Sequence, residues 1–324
     1  MKRRTFFTLS SSALAVPAPA SRLWAQNWPD KPITMVVPAP PGGGTDLVAR
    51  MYSDLLTQEL GQQVLVDNKG GGNGNVGTAI VARAKPDGYT LLMQYSAYHS
   101  ANPALIKDLN WKPDDFTGVA MGAVAPHVIV IAKKVPADTL KDFIAYAKAN
   151  KGKLNYASVG AGSVPHLGGV LLNKAAGLDL THVPYKGAGP ATADLVAGQV
   201  ELMVVTPPSV SGHIRSGAVK ALALASEQRH PSFPDIPTTA EAGLPGFEMR
   251  VTYAVLAPAG TPRGHVEKLS AEFGKIVALP EVRERLAVQG MVPFHTTPDQ
   301  LSAIIRADIA KYAAVIKSAN LKMD

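Results

Sequence analysis

Two glycine-rich segments carry the residue types that could bind an anion. The first loop, residues 38–46, reads PAPPGGGTD, and the second loop, residues 157–166, reads ASVGAGSVPH. Each follows a strand-like apolar run and precedes a helical pattern, so each should place free backbone N–H groups at a helix N-terminus. Glycines let a ligand approach the backbone because no Cβ intervenes, and Thr45, Ser158 and Ser163 add hydroxyl groups. Two such loops in separate lobes would face each other across a cleft and clamp a carboxylate between them.

A third glycine-rich segment, residues 72–77, matches the G-x-G-x-x-G pattern of dinucleotide-binding loops. It follows a strand-like run and opens a helical one, which is the context that such a loop requires. The next strand ends in MQYS, residues 93–96, without an acidic residue to hold a ribose hydroxyl, and Asp87 lies in the turn before that strand. Two interpretations therefore stay open: an exported oxidoreductase with a nucleotide cofactor, or a tight connection that lets the helix lie close to the sheet.

Other signatures of catalysis are missing from the sequence. The chain of 324 residues has no cysteine, which excludes disulfides, thiolate metal sites and cysteine nucleophiles. It has no G-x-S-x-G, Walker or H-E-x-x-H motif, and its eight histidines lack the spacing of metal ligands. Asp46 could act as a general base, but an acidic residue also favours the positive first turn of a helix. We predict no catalytic residue, no metal and no cofactor.

The N-terminus predicts export. Residues 2–4 are Lys-Arg-Arg, residues 6–16 are a short apolar stretch, and small residues follow, with candidate cleavage points after Ala20 and Ala25. We assign residues 1–25 to an export signal peptide that is removed, through either the general or the twin-arginine route. Beyond it no apolar run approaches the ~18 residues of a membrane helix. The sequence therefore predicts a periplasmic protein that is not itself embedded in the membrane.

Charge argues against nucleic acid as a partner. The formal charge is +7, but residues 1–25 hold four basic residues and no acidic one. The rest of the chain has 28 basic and 25 acidic residues, with no block of lysine and arginine. Nucleic-acid binding normally needs a concentrated basic surface. The apolar share of 46% and the charged share of 18% are typical of a soluble globular protein.

The pattern of elements predicts an α/β fold, because strand-like and helix-like stretches alternate along the chain. No linker interrupts this alternation, so we expect two lobes joined by segments that cross near residues 120–128 and 250–257. Lobe 1 should comprise residues 26–124 and 253–324, and lobe 2 residues 125–252. The predicted strands are 33–37, 64–66, 89–93, 128–131, 155–158, 181–183, 202–205 and 221–225. The predicted helices are 47–60, which Gly61 should end, 76–84, 140–147, 166–176, 191–197 and two long ones that begin at Thr261-Pro262 and Thr297-Pro298. Thr261 and Thr297 should be the N-caps of these two, and residues 297–300 should form a full capping box.

An ordered set of segments resembles one known family, the periplasmic substrate-binding proteins of tripartite tricarboxylate transporters. The resemblance covers nearly the whole chain after the export signal, and the segments occur in the family's order. They are WPDKPI at 28–33, PPGGGTDLVAR at 40–50, KPDGYTLL at 85–92, NYASVGAGSVPHL at 155–167, HVPYKGAGPATADLVAGQVELM at 182–203, PDIPTTAEAGLPGFE at 234–248 and APAGTP at 257–262.

The resemblance implies a two-lobed periplasmic binding protein fold, type II-like, with the ligand cleft between the lobes. It implies capture of a small organic acid and its delivery to the membrane subunits of a transporter. A receptor that signals through a membrane sensor would have the same lobes and stays open as an alternative. By position, the resemblance assigns to the ligand site Ala39, Pro40, Gly42, Gly43, Gly44, Thr45 and Asp46 from the first loop, Ser158, Gly160, Gly162, Ser163 and His166 from the second loop, and Ser96, Tyr98, Tyr185, Thr206, Pro207 and Tyr253 from elsewhere. It also suggests that Lys186 and Gly187, which follow Tyr185, line the cleft.

Two departures from the family pattern bear on the ligand. Ala39 stands where similar proteins often carry an aromatic residue, and residues 252–254 read Thr-Tyr-Ala where they often read Trp-Phe-Gly. Loss of two rings from a cleft wall would enlarge it. We therefore expect a bulkier acid, such as an aromatic one that stacks on Tyr95, Tyr98 or Tyr253. The alternative is that neighbouring side chains fill the space.

Overall fold

A computed structural model describes residues 28–318 of the chain, and the predicted export signal lies outside these residues. Two β-sheets with helices packed against them confirm the predicted α/β fold. The strands are β1 (Ile33–Val37), β2 (Val64–Asn68), β3 (Thr90–Tyr95), β4 (Phe116–Pro126), β5 (Val128–Ala132), β6 (Asn155–Ser158), β7 (Thr181–Pro184), β8 (Leu202–Val205), β9 (Val219–Leu224), β10 (Arg250–Pro258) and β11 (Val292–Pro293). The helices are α1 (Gly44–Leu60), α2 (Asn75–Ala82), α3 (Ser96–Leu105), α4 (Leu140–Ala149), α5 (Val164–Ala176), α6 (Ala188–Ala197), α7 (Ser211–Arg215), α8 (Arg263–Ala278), α9 (Pro280–Val288) and α10 (Pro298–Ser318).

The two sheets are mixed. The larger has the order β11-β4-β10-β3-β1-β2, in which β1 pairs in parallel with β2 and β3, while β10 runs antiparallel to β3 and β4. The smaller has the order β7-β6-β8-β5-β9, in which β6 pairs in parallel with β7 and β8. Parallel strands joined by helices place the strand-to-helix loops at one edge of each sheet. The first loop leaves β1 and the second loop leaves β6.

The chain crosses between the sheets at two adjacent points. Only His127 separates β4 from β5, and β10 begins directly after Met249. The backbone N–H of His127 donates to the carbonyl of Met249 at 2.8 Å, and the N–H of Ala225 donates to the carbonyl of His127 at 2.8 Å. These crossings lie within a few residues of the boundaries expected from the sequence, and the division into residues 26–124 with 253–324 and residues 125–252 stays a prediction.

Local sequence explains most of the elements. In α1, Val48, Met51, Tyr52 and Leu56 form the buried face, and Gly61 ends the helix in the left-handed conformation. All five residues of β5 are buried, as expected for a strand covered on both faces.

The predicted starts of the two C-terminal helices fared differently. Before α10, the Thr297 hydroxyl accepts from the N–H of Gln300, and the Gln300 side chain accepts from the N–H of Thr297, which is the predicted capping box. The expectation for Thr261 was wrong. Its hydroxyl donates to the carbonyl of Pro258, and Pro262 occupies the N-cap position of α8.

Candidate functional site

A cavity of about 700 Å³ lies between the two sheets and is lined by residues from both. Its wall on the side of the larger sheet consists of the first loop and three tyrosines, one each from β3, α3 and β10. Its wall on the side of the smaller sheet consists mainly of the start of α6 and the segment after β8. The lining residues include residues 39–45, Tyr95, Tyr98 and Tyr253 on the first side, and Val159, Pro165, residues 186–190, Thr192, Thr206 and Pro208 on the second.

The first loop leaves its backbone donors open. Gly43 is the N-cap of α1, and no side chain caps the helix there. The first-turn amides of Gly44 and Thr45 have no intrahelical acceptor, because an α-helix leaves its first N–H groups unbonded. Their partial positive charge points at the cavity, where an anion would be stabilised. The hydroxyl of Thr45 also has no hydrogen-bond partner among the residues that the structure describes.

Asp46 holds the first loop in shape rather than facing the cavity. Its side chain is only 3% exposed. Oδ2 accepts from the N–H of Gly42 at 2.9 Å, Oδ1 accepts from Nδ2 of Asn68 at 3.0 Å, and the Arg50 guanidinium lies 3.1 Å away. Burial raises the pKa of this carboxyl, but these hydrogen bonds outweigh burial and lower the pKa below its usual value. Asp46 is therefore an ionised structural anchor, which leaves no role for it as a general base.

The second loop uses its donors internally. Ser163 caps α5, since its Oγ accepts from the N–H of His166 and donates to the carbonyl of Gly160 at 2.6 Å. The N–H of Gly162 donates to Nδ1 of His166 at 2.9 Å, and the N–H of Gly160 donates to Oγ of Ser158 at 3.2 Å. A hydroxyl has one proton to donate. A carboxylate would find these donors already bonded.

The family follows from comparison of the sequence with known proteins. The model of the family described as "Tripartite tricarboxylate transporter family receptor" matches residues 48–321. The chain belongs to this receptor family.

Relatives of this receptor family cover almost the whole chain. The "UPF0065 protein in tcbD-tcbE intergenic region" of Pseudomonas sp. (strain P51) is 38% identical over 321 residues, which are 95% of this chain and 92% of that protein. The periplasmic binding protein BugD has 36% identity and a TM-score of 0.85, with 91% of this chain and 100% of that one covered. R. palustris Rpa4515 with adipate has 32% identity and a TM-score of 0.88 at the same coverage.

The comparisons establish the two-lobed periplasmic binding protein fold for this receptor. Within residues 28–318, no helix combines the length and the apolar character needed to cross a bilayer. In the same part of the chain, no three His, Asp or Glu side chains are grouped closely enough to hold a metal ion.

An aromatic wall closes one end of the receptor's cavity. The ring centroids of Tyr95 and Tyr98 lie 5.2 Å apart, and those of Tyr95 and Tyr253 lie 5.6 Å apart. Burial raises the pKa of all three phenols, so they are protonated at neutral pH. A methyl group at Gly44 would lie 2.8 Å from the Tyr253 hydroxyl oxygen, so the start of α1 meets this wall closely only because residue 44 is glycine.

The two sides of the cavity already contact each other. A methyl group at Gly44 would lie 3.4 Å from Cβ of Pro208, which follows β8 on the other side. Away from the cavity, the guanidinium of Arg215 donates to the carbonyl of Val288 at 3.1 Å. A methyl group at Gly290 would lie 2.5 Å from Cβ of Pro207. The two sides of the molecule therefore contact each other both at the cavity and away from it.

The structure brings half of the sequence-predicted site residues to the cavity wall. The other half lies outside the wall, and their part in binding stays a prediction. Among these, Ser96 accepts from the N–H of Thr252 through its Oγ at 2.9 Å, and Tyr185 donates to Asp194 at 2.7 Å. The residues on the wall are Ala39, Pro40, Gly42, Gly43, Gly44, Thr45, Tyr98, Thr206 and Tyr253, and those outside it are Asp46, Ser96, Ser158, Gly160, Gly162, Ser163, His166, Tyr185 and Pro207.

Sequence reasoning placed Lys186 and Gly187 at the cleft but missed the first turn of α6, residues 188–190, as part of the wall. The helix begins three residues before the predicted start at residue 191, and residues 186–190 line the cavity. The signal was present in the sequence Lys-Gly-Ala-Gly-Pro, because glycine before a helix and proline in its first turn are typical of an N-terminus.

The G-x-G-x-x-G segment has a packing role. A methyl group at Gly74 would lie 2.4 Å from the ring of Tyr98, and one at Gly77 would lie 2.8 Å from Cα of Pro38 and from the carbonyl oxygen of Lys69. These glycines let α2 lie close to the sheet, which is the second of the two interpretations above. The ring of Tyr98 occupies the space beside Gly74.

A second cavity, of about 720 Å³, lies beside the crossing segments and is lined by Pro126, His230, Arg250 and Thr252 among others. Volume alone therefore does not identify the ligand site. The glycine-rich loops line the first cavity and not this one. Thr252 lines this second cavity, whereas Ala39 and Tyr253 line the first, so the ring missing at residue 252 does not enlarge the ligand cleft.

Proposed function

We propose that this receptor captures a small carboxylate in the cavity between its lobes and passes it to the membrane subunits of a tripartite tricarboxylate transporter. One observation carries the proposal: the uncapped N-terminus of α1, with its open amides at Gly44 and Thr45, faces a cavity closed by the opposite lobe. Backbone N–H groups at such a position bind an anion without any catalytic side chain.

The electrostatics of the cavity favour backbone recognition. The basic residues on its wall are Lys186 and His213, and both are exposed to solvent. A buried carboxylate would be held mainly by amide dipoles and by the Thr45 hydroxyl. Hydrogen bonds to a charged group contribute about 1.5–3 kcal/mol each. A few of them approach the roughly −8 kcal/mol of micromolar binding, before ordering costs are counted.

Closure is the mechanical step of the cycle. The crossing strands meet at His127 and Met249, where a small change of backbone angle would rotate one sheet against the other. A ligand drives closure only to the extent that it binds the closed state more tightly than the open one. Gly44 and Pro208 lie close together, so a ligand at the start of α1 would contact both lobes at once.

The wall of three tyrosines favours an acid with a bulky or aromatic body. Ala39 and the half-buried ring of Tyr98 lie on the cavity wall, so Tyr98 offers apolar surface for stacking, and the buried ring of Tyr95 packs against the rings of Tyr98 and Tyr253. The adipate complex of the R. palustris relative supports a carboxylate as the ligand class. We further propose that the chain works in the periplasm after removal of residues 1–25.

Matched pairs of acids and amides test the function. Titration calorimetry of the purified chain with benzoate, benzene-1,4-dicarboxylate, hexanoate and adipate should detect binding of at least one acid. The corresponding neutral amides should not bind, because amide dipoles at a helix N-terminus select a negative charge. Equal affinity for an acid and its amide would refute recognition of a carboxylate.

A further inference from the structure

The second cavity, beside the crossing segments, is separate from the ligand cleft. Its volume of about 720 Å³ lies in the range of pockets that hold small molecules. Thr252 lines it, whereas the next residue, Tyr253, lines the first cavity, so the two cavities lie on opposite faces of β10. Its walls come from β4, β10, β11 and α10 on the side of the larger sheet and from residues 225–231 and 248–249 on the side of the smaller one.

His230 provides a buried hydrogen-bond donor on this wall. The residue is only 5% exposed. Its Nδ1 accepts from the N–H of Ser232 at 3.1 Å, so the proton of the neutral ring is on Nε2. Burial lowers the pKa of the imidazole, which therefore stays neutral at pH 7.

The donor of His230 has no acceptor. Within the part of the chain that the structure describes, Nε2 makes no hydrogen bond. Buried polar groups are normally bonded, and an unbonded one costs free energy. Because this atom can only donate, a ligand that satisfies it must supply an acceptor oxygen.

Exposed apolar side chains line the same cavity. Phe294 is 48% exposed and Val292 is 40% exposed, and both lie on the wall. The buried Met121 and the half-buried Val124 and Ile304 extend this apolar surface. An aromatic ring that is open to a cavity offers a surface for stacking. The ligand should therefore carry an apolar or aromatic body.

The charged residues of the wall favour an anionic acceptor over a neutral one. Basic residues outnumber acidic residues by three to two, and a charged acceptor forms the stronger hydrogen bond with a donor such as Nε2. One basic residue is already paired, since the guanidinium of Arg229 lies 2.9 Å from the carboxylate of Glu241. All five charged residues are exposed: Arg229, Arg250, Lys311, Glu227 and Glu248.

We propose that the second cavity binds a small organic anion with an apolar or aromatic body, at a site distinct from the ligand cleft. The acid group accepts from Nε2 of His230, and the apolar body lies on Phe294 and Val292. This inference does not rest on carboxylate capture between the lobes, because no residue lines both cavities.

Two fluorescent dyes that differ by one acid group test the site. The anion 8-anilinonaphthalene-1-sulfonate and the neutral N-phenyl-1-naphthylamine share their rings, and each brightens when it enters apolar surroundings. Fluorescence titration of the purified chain should show binding of the sulfonate. His230→Asn should weaken the sulfonate about tenfold, the loss expected for one hydrogen bond to a charged group, and should leave the neutral dye unchanged. Asparagine can still accept from Ser232 through Oδ1, in the place of Nδ1, but it has no donor at the position of Nε2.

A second variant tests the apolar surface. Phe294→Ser should weaken both dyes by about threefold or more, because both lose the same ring contact. The matched control is Val288→Ser, which changes an exposed apolar side chain that does not line the second cavity, and it should alter neither dye. Thermal melting checks that each variant is folded, and Phe294→Ser alone tests the site if His230→Asn is not.

Three results would overturn the proposal. The first is no binding of the sulfonate dye to wild type. The second is unchanged sulfonate affinity in a folded His230→Asn or Phe294→Ser variant, which would place the dye elsewhere. The third is equal weakening of both dyes in His230→Asn, which would mean that His230 does not recognise an acid group. None of these results bears on carboxylate capture, which the acids and amides test separately.

Discussion

The first loop before α1 and the second loop before α5 differ in whether their hydrogen-bond donors already have acceptors within the loop. Both are glycine-rich, and both join a parallel strand to a helix. In the second loop Ser163 caps the helix and His166 accepts from Gly162. In the first loop Gly43 provides no cap, and the open end of α1 lies on the cavity wall. On the side of the smaller sheet, α6 is an uncapped helix whose start lies on the wall.

The difference teaches that glycine content alone does not make an anion site. Glycine permits a ligand to approach the backbone closely. A serine at the N-cap, however, supplies an oxygen that accepts from a first-turn amide, so that amide is not available to a ligand. A histidine in the first turn, such as His166, can accept a hydrogen bond from a further backbone amide through its ring nitrogen. A helix start with glycine at the N-cap, as in α1 and α6, leaves those amides for a ligand.

Gly44 gives the strongest test of the comparison. In Gly44→Val the new side chain would meet the Tyr253 hydroxyl on its own side of the cavity and Pro208 on the opposite side. Overpacking of this kind costs about 1–3 kcal/mol, which corresponds to a loss of roughly 5- to 150-fold in affinity for the best-binding acid. Calorimetry measures the loss.

The matched control is Gly264→Val, in the first turn of α8. A methyl group there meets nothing within 4 Å, and the residue is not on the cavity wall. Its affinity should equal that of wild type. Wild-type affinity in Gly44→Val would mean that the ligand does not need the close approach of the first loop to the opposite lobe.

The sequence predicted the fold well where elements have local signals. The strand β1, the helix α1 with Gly61 at its end, and the capping box at Thr297 all depend on neighbouring residues. It missed α3, which starts directly from β3 without a capping side chain and contains Pro103. It also treated β4 as a crossing segment, because the run FTGVAMGAVAP has many small residues of low strand propensity.

The candidate site was predictable to a smaller extent. The first loop could be found because its glycines and Thr45 carry the signal themselves. The internal bonding of the second loop depends on contacts such as that between Ser158 and His182, which are 24 residues apart and meet only in the folded sheet. The role of α6 required knowledge of which loops lie across the cleft.

Ser163→Ala tests whether the second loop caps its helix or binds the ligand, and its expected effect is smaller than that of Gly44→Val. Loss of the N-cap should cost about 1 kcal/mol of folding free energy, or roughly 2–4 °C in melting temperature for a domain of 150–250 residues. Affinity should change by less than about threefold, because the hydroxyl proton already bonds the Gly160 carbonyl and is not available to a ligand. Thermal melting and calorimetry on the same sample measure both.

The conservative variant Ser163→Thr keeps a hydroxyl at the cap and should restore most of the melting temperature. A tenfold or larger loss of affinity in Ser163→Ala at an unchanged melting temperature would contradict the internal role. It would place the hydroxyl on the ligand, as the sequence predicted.

As the pH falls, the second loop should lose stability at a higher pH than the first loop. His182 contacts Oγ of Ser158 at 2.7 Å and stacks on His166 at 3.8 Å between centroids. Burial, followed by repulsion from His166, lowers the pKa of His182 from 6.5 to about 4. The unfolded chain therefore binds the proton more readily, so this part of the stability is complete above pH 6.5 and is lost as the pH falls towards 4. The pKa of Asp46 in the first loop is also lowered, but from 3.8, so its contribution survives throughout that window.

His182→Gln checks this smallest effect through melting temperatures between pH 7.5 and 4.5. Glutamine can keep a hydrogen bond to Ser158 and cannot be protonated, so the variant should lose less stability on acidification than wild type. Some pH dependence should remain, because burial also lowers the pKa of His99 and of His127 to about 4. Identical pH profiles for variant and wild type would mean that the imidazole of His182 does not sense acid. In that case the hydrogen bond between Ser158 and His182 would not explain why the donors of the second loop are bonded within the protein.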